Sequence, residues 1–239
     1  MEPLTPIRRH TGREDLEVAG ATMSTWHPDR WLTGWAWDAI TAACLLRRDG
    51  PPRRVLLLGL GGGTVVRQLA RISPGTHVTG VDLDPAMADW ARTKLAHEPV
   101  QLTVHVADAY RHLALDPRHY DVVIDDVYVA GATDVRRPQP VDATLVAALR
   151  RRLASGGVLV INLVTGPGHR VQQSLARRSV RAAFDQVATV RPARGHNEVL
   201  AAGWLADRSP LAGLTDAWPA RERGLWRRLR VQRLPHPRR

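Results

Sequence analysis

The chain has 239 residues, 44% of them hydrophobic, which suits one α/β domain of ordinary size with a sizeable core. A single cysteine, Cys44, excludes an internal disulfide framework and fits a reducing compartment. The net charge of +11 suggests an anionic partner, but eight arginines and one glutamate in residues 221–239 supply +7 of it.

The rest of the chain is therefore only mildly basic, which argues against nucleic acid as the main partner and leaves the tail as a solvated end. The first fifteen residues lack an apolar core of signal-peptide length. No apolar run approaches the roughly 20 residues of a membrane span. These features predict a soluble, cytoplasmic protein.

Residues 1–20 are polar and lack strong periodicity. From Leu32 the pattern reads as a helix ending before Gly50, Pro51 and Pro52, with Trp31 and Trp35 as packing residues. "RVLLLGL", from residue 54, is a continuous apolar run of the kind that forms a strand buried on both faces. A helix ("TVVRQLARI"), a strand ending near Asp82, a helix opening at Pro85, a strand ("VQLTVHVAD"), a short helix and the strand "YDVVIDD" follow. "VDATLVAALRRRLASGG" reads as a helix stopped by Gly156 and Gly157, before the strand "VLVINLV". A last helix and two closing strands, "VATVRP" and "NEVLAAGW", complete the pattern. Such alternation predicts a doubly wound, mostly parallel sheet covered on both faces. The expected division is an N-terminal extension over 1–50, a Rossmann-like domain over 51–205 and an arginine-rich tail over 206–239.

The first of these strands runs into Gly59, Gly61, Gly62 and Gly63, and Asp82 follows at the end of the next. Glycines at a strand-to-helix turn let backbone approach a ligand. An acid ending the second strand can accept from ribose hydroxyls. Together they predict a nucleoside site. The absence of Gly-Lys-Ser/Thr excludes a P-loop, and Thr64 stands where a dinucleotide fingerprint needs its last glycine. Asp108 and Asp126 end two further strands.

The ordered segments "VLLLGLGGGTVVRQLAR", "VTGVDLDP", "VHVADAYRHL", "YDVVIDDVY" and "LRRRLASGGVLVINLV" resemble the successive motifs of class I S-adenosylmethionine-dependent methyltransferase folds, specifically the spermidine synthase (polyamine aminopropyltransferase) branch. The resemblance spans about residues 50–205 and implies a seven-stranded sheet. It also implies that Gly59, Gly61, Gly62 and Gly63 bind the cofactor, that Asp82 holds its ribose, and that Asp108 with Ala109 flanks the adenine. Asp126 matches the aspartate beside the reacting amine. Tyr128, two residues on, is a candidate wall or hydrogen-bond donor of the acceptor pocket. Asp121 is expected to be a turn or surface acid, and Asp125 a structural neighbour of Asp126.

The chain departs from that branch at two points. Gly62 occupies the place of an aspartate inside the glycine loop, and Val129 that of a second acid after Asp126. A polyamine needs carboxylates to hold its charges. The expectation is therefore methyl transfer from S-adenosylmethionine to an amine or hydroxyl of a small molecule. The alternatives are aminopropyl transfer from decarboxylated S-adenosylmethionine, or a non-catalytic nucleoside-binding module. Glu198 is assigned to a sheet edge, His27, His169 and His196 to loops, and no spacing suggests a metal. A homodimer is left open.

Overall fold

The computed structural model describes residues 5–8, 11–18, 20–130 and 135–235; the extreme ends of the predicted extension and tail, residues 1–4 and 236–239, lie outside it. In chain order the elements are β1 Thr5–Arg8, β2 Glu14–Val18, β3 Ala21–Trp26, α1 Ala36–Cys44, β4 Arg54–Leu58, α2 Thr64–Ile72, β5 His77–Asp82, α3 Pro85–Leu95, β6 Gln101–Val106, α4 Ala109–Leu115 and β7 Tyr120–Asp125. They continue with β8 Val129–Ala130, β9 Val135–Arg136, α5 Ala143–Arg150, β10 Leu153–Val164, α6 Arg170–Ala183, β11 Val187–Arg191, β12 Asn197–Gly203, α7 Arg223–Arg227 and β13 Arg230–Leu234.

The central sheet has the order β13-β11-β12-β10-β7-β4-β5-β6. Strands β10, β7, β4, β5 and β6 pair in parallel, and β12, β11 and β13 add antiparallel. Its parallel strands carry alternate residues into two cores. Val55 and Leu57 of β4 pack with α1 and α2 on one face, and Leu56 and Leu58 with α4, α5 and α6 on the other. That double burial is why "RVLLL" has no polar alternation. The order reverses between β4 and β7, where Leu58 lies opposite Asp125. The crevice at this switch point is where doubly wound folds bind ligands. No helix among the described residues is long and apolar enough to cross a membrane.

Four sequence expectations change. The sheet has eight strands rather than seven, because Arg230–Leu234 of the arginine-rich segment pairs along β11. The polar N-terminal region contributes a three-stranded antiparallel sheet, β1-β2-β3. The helix expected from Leu32 starts at Ala36, because the buried Asp38 carboxylate accepts from the backbone N–H of Thr33 and Gly34 and holds them in a turn. Finally, Gly156 and Gly157 do not stop a helix. α5 ends at Arg150, and the glycines lie inside β10, where the register against β7 shifts between Leu153 and Val158. Gly156 has φ +71°, which suits such an irregularity.

The N-terminal sheet is anchored over the glycine loop. Ser24 Oγ lies 2.6 Å from Thr64 Oγ1, Thr64 Oγ1 donates to the Thr25 carbonyl at 2.9 Å, and Lys94 pairs with Glu14 at 2.7 Å. This puts Met23 against the mouth of the crevice.

Candidate functional site

Strand β4 delivers the chain into the glycine turn at the switch point. Gly59 has φ +83°, and a Cβ there would stand 2.4 Å from the Asp126 carbonyl oxygen, so only glycine lets the turn pass the end of β7. Gly61 donates its N–H to Asp82 Oδ2 at 2.7 Å, and Asp84 donates to Oδ1 at 3.0 Å. Asp82 is thus fixed at the floor of a cavity of about 390 Å³ that Gly59, Gly61, Leu83, Met87, Asp126 and Tyr128 also line. Burial pushes the Asp82 carboxyl above the ordinary range against these bonds.

A second cavity, of about 420 Å³, opens on the other side of Asp126 and Tyr128. Its walls include Trp35, Trp37, Asn162, His196 and Arg13. Met23, Trp37, Asp126 and Tyr128 are common to both cavities. Asp126 is therefore the acid at the junction of the cavity beside the glycine turn and a second pocket with aromatic walls.

The environment of Asp126 is built from β10 and the segment after β9. Asn162 Nδ2 donates to Asp126 Oδ1 at 2.7 Å. Burial pushes the Asp126 carboxyl up to about 7, opposed by the Asn162 bond and by the charge of Arg137 and assisted by Asp125 and Asp82. Asp125, fully buried on the opposite face, pairs with Arg137, which also donates to the Asn162 carbonyl at 2.9 Å. Its cation over the Tyr128 ring, 5.2 Å from guanidinium to centroid, ties the same cluster together.

Tyr128 supplies a wall rather than a free hydroxyl. Its Oη donates to the Asn162 carbonyl at 2.9 Å and accepts from the Val164 N–H at 3.0 Å, so β10 uses both functions. Asp121 accepts from the N–H groups of Arg53 and Arg54 at 2.9 Å each, away from the site.

The residues assigned to a cofactor divide. Gly59, Gly61 and Asp82 meet at the first cavity, with Asp126 and Tyr128. Gly62 is turned away: a Cβ on it would meet Leu16 Cδ1 and Ser24 Oγ at 2.7 Å. Gly63 caps α2 with φ +84°, its Cβ direction blocked by Leu95. Asp108 is exposed and caps α4, accepting from Tyr110 and Arg111 N–H groups at 3.0 and 2.8 Å through one oxygen. Ala109 is buried against the core, and neither Asp108 nor Ala109 lines the cavity. Of the three loop histidines, His196 reaches the second cavity; His27 bonds the Thr11 carbonyl at 2.8 Å. Among the described residues no group of three or more His, Cys, Asp or Glu side chains could hold a metal.

Sequence reasoning missed Asn162, Arg137, Met23 and Trp37. Asn162 had a readable signal, a lone amide inside the apolar strand "VLVINLV". The others depend on tertiary placement.

The methyltransferase-domain family matches residues 55–157, the stretch from β4 into β10. A crystal structure of a probable spermidine synthase from Corynebacterium glutamicum superimposes with a TM-score of 0.65 at 18% identity, covering 98% of this chain and 87% of that one. The chain carries the class I methyltransferase fold. Human methyltransferase-like protein 13, solved in complex with SAH, shares that class I fold at a TM-score of 0.57 and 21% identity over 75% of this chain and 87% of that one. A probable polyamine aminopropyl transferase from Bifidobacterium longum is 33% identical over 136 residues, 56% of this chain. That stretch is 29% of the Bifidobacterium protein, so the chain spans well under two thirds of this curated relative's length.

Proposed function

We propose that the chain transfers a methyl group from S-adenosylmethionine to an amine or hydroxyl of a small molecule. The observation that carries this reading is Gly62. Spermidine synthases, by the resemblance, place an acid there for the free amine of decarboxylated S-adenosylmethionine. Here Leu16 and Ser24 fill the space that such a side chain would need. A loop without that acid suits a cofactor that keeps its own carboxylate.

The residues fit the cofactor. The Gly59 turn leaves room beside backbone, Asp82 offers carboxylate lone pairs to a ribose diol, and Leu83, 61% exposed, offers an apolar face to a purine. When bound, the sulfonium supplies an electrophilic methyl carbon. Asp126 orients the acceptor's N–H or O–H and takes its proton as the new bond to carbon forms and the carbon–sulfur bond breaks. A carboxylate held near neutrality suits that exchange. Trp35, Trp37 and the Tyr128 ring position the acceptor and exclude water from the junction.

A second reading, aminopropyl transfer to an amine, is favoured by the names of the Bifidobacterium and Corynebacterium proteins. Against it, Asp126 is the one acid among the described residues lining the second cavity, which also holds Arg13. Titrating both cofactor forms into the protein separates the two. Methyl transfer predicts tighter binding of intact S-adenosylmethionine, and a clear preference for the decarboxylated form would reverse the assignment.

A further inference from the structure

A cleft of about 730 Å³ adjoins the second cavity and is not used by the chemistry above. Arg177, Arg191, Arg227, Arg228 and Arg230 line it, against a single acid among the described lining residues, Glu198. Glu198 is not at a sheet edge but fully buried in β12, between β11 and β10, and its carboxylate is gripped by Arg177 Nε at 2.7 Å and by Arg191 Nη2 at 3.0 Å. One buried acid thus fixes two guanidiniums at the cleft and neutralises one charge of five.

The strand register makes the imbalance sharper. Arg191 of β11 lies directly opposite Arg230 of β13. Like charges at directly opposed positions destabilise a sheet unless something between them compensates. Arg227 and Arg230 are exposed, and neither forms an ion pair among the described residues. Fixed guanidiniums arranged around one concavity are the donor set for phosphate oxygens.

The cleft also communicates with the reaction centre. Thr165 and Asn197 line both cavities. Asn197 Nδ2 donates to Asn162 Oδ1 at 3.1 Å, and Asn162 donates in turn to Asp126. A group bound among the arginines would lie on the same molecule as a nucleophile held at Asp126.

We propose that the acceptor is a phosphorylated small molecule whose phosphate seats in the arginine cleft while its amine or hydroxyl reaches Asp126. This rests on the reading of the Asp126 pocket as the acceptor site, but the phosphate site is testable without turnover. Inorganic pyrophosphate is the probe, titrated calorimetrically into the full chain at an ionic strength held constant with sodium chloride.

The proposal expects saturable binding that weakens at least about tenfold in Arg227→Gln/Arg230→Gln and is unchanged in Asp126→Asn. Arg227→Gln alone, outside the central sheet, gives a smaller loss and serves if the double variant melts early. Binding no stronger than that of matched chloride, or unaltered by the arginine substitutions, overturns the proposal. Tighter binding of a short single-stranded RNA, lost in the same variants, also overturns it, since the cleft would then be a nucleic-acid groove. A parallel titration with S-adenosylmethionine keeps the two questions apart: its failure alone would remove the methyl-transfer reading and leave the anion site standing.

Discussion

Replacing Asp126 by asparagine should make the protein more stable at pH 8 while removing its turnover. Burial raises the Asp126 carboxyl from 3.8 to about 7. Between those values the native state holds a proton that the unfolded chain has released, so stability falls as pH rises, and the full penalty is present above about 7. A shift of about three units corresponds to a ceiling of about 4 kcal/mol. Solvent reaching the two open cavities reduces the expected gain to ~1–2 kcal/mol. For a chain of this size that is a rise of roughly 3–6 °C in melting temperature. The Asn162 amide can still bond the asparagine at the same position. Thermal melts of both proteins at pH 5, 6.5 and 8 test this, with the gap widening as pH rises. An equal gap at pH 5 and pH 8, or a less stable variant at pH 8, would refute the assignment of a strained, functional carboxylate. The same variant should lose about 10²–10⁴ in kcat, the usual contribution of a general base.

The pH profile follows from the same group. Deprotonated Asp126 is the active form, so kcat/KM should climb tenfold per pH unit below about 7 and level above it, and a flat profile across pH 6–8 would contradict this. Gly62→Asp should destabilise by ~3 kcal/mol or more in denaturant melts, because it forces a buried carboxylate against Leu16 and Ser24, and it should not confer tight binding of decarboxylated S-adenosylmethionine. Tyr128→Phe removes the hydroxyl that serves the Asn162 carbonyl and the Val164 N–H, costing ~1–2 kcal/mol of stability with less than about a tenfold change in kcat. A loss near a hundredfold in kcat would instead mean that the hydroxyl serves the acceptor.

Strands β4, β7 and the second half of β10 were legible because they are buried on both faces and read as near-continuous apolar runs. The antiparallel additions were harder. Strand β3 has one buried residue, Ser24, and Glu14–Val18 sets three acids, the buried Asp15 among them, around its buried Leu16, so neither shows the alternation that announces a strand. Strand β13, "RVQRL", does not alternate either, and its arginines read as a solvated tail until β11 is there to pair with them. Glycines 156 and 157 show the limit of local punctuation: the same pair suits a helix stop or a strand irregularity, and only β7 alongside decides. At the site, Asp126 and Asp82 could be read from position. Gly62 could be placed in the loop but not oriented, since what crowds it comes from Leu16 and Ser24, nearly forty residues or more upstream.

The two adjacent acids at the end of β7 have opposite surroundings, and the proposed role of Asp126 rests on that difference. Asp125 is fully buried and pairs with the Arg137 guanidinium, with the Tyr110 hydroxyl donating to it at 3.3 Å, and so fixes Arg137. Asp126 receives a neutral amide in place of a cation, so burial is only partly compensated. Asn162→Leu isolates that contribution. A hydrogen bond to a charged group is worth ~1.5–3 kcal/mol, or about one to two pH units. Without it the midpoint of the kcat/KM profile should move from near 7 to about 8 or above, with the plateau rate reached only in alkaline buffer. An unmoved midpoint would mean that the ionising group in the profile is not Asp126. A midpoint moved downward would mean that the amide holds the neutral carboxylic acid rather than the carboxylate, and Asp126 would then begin the reaction as an acid.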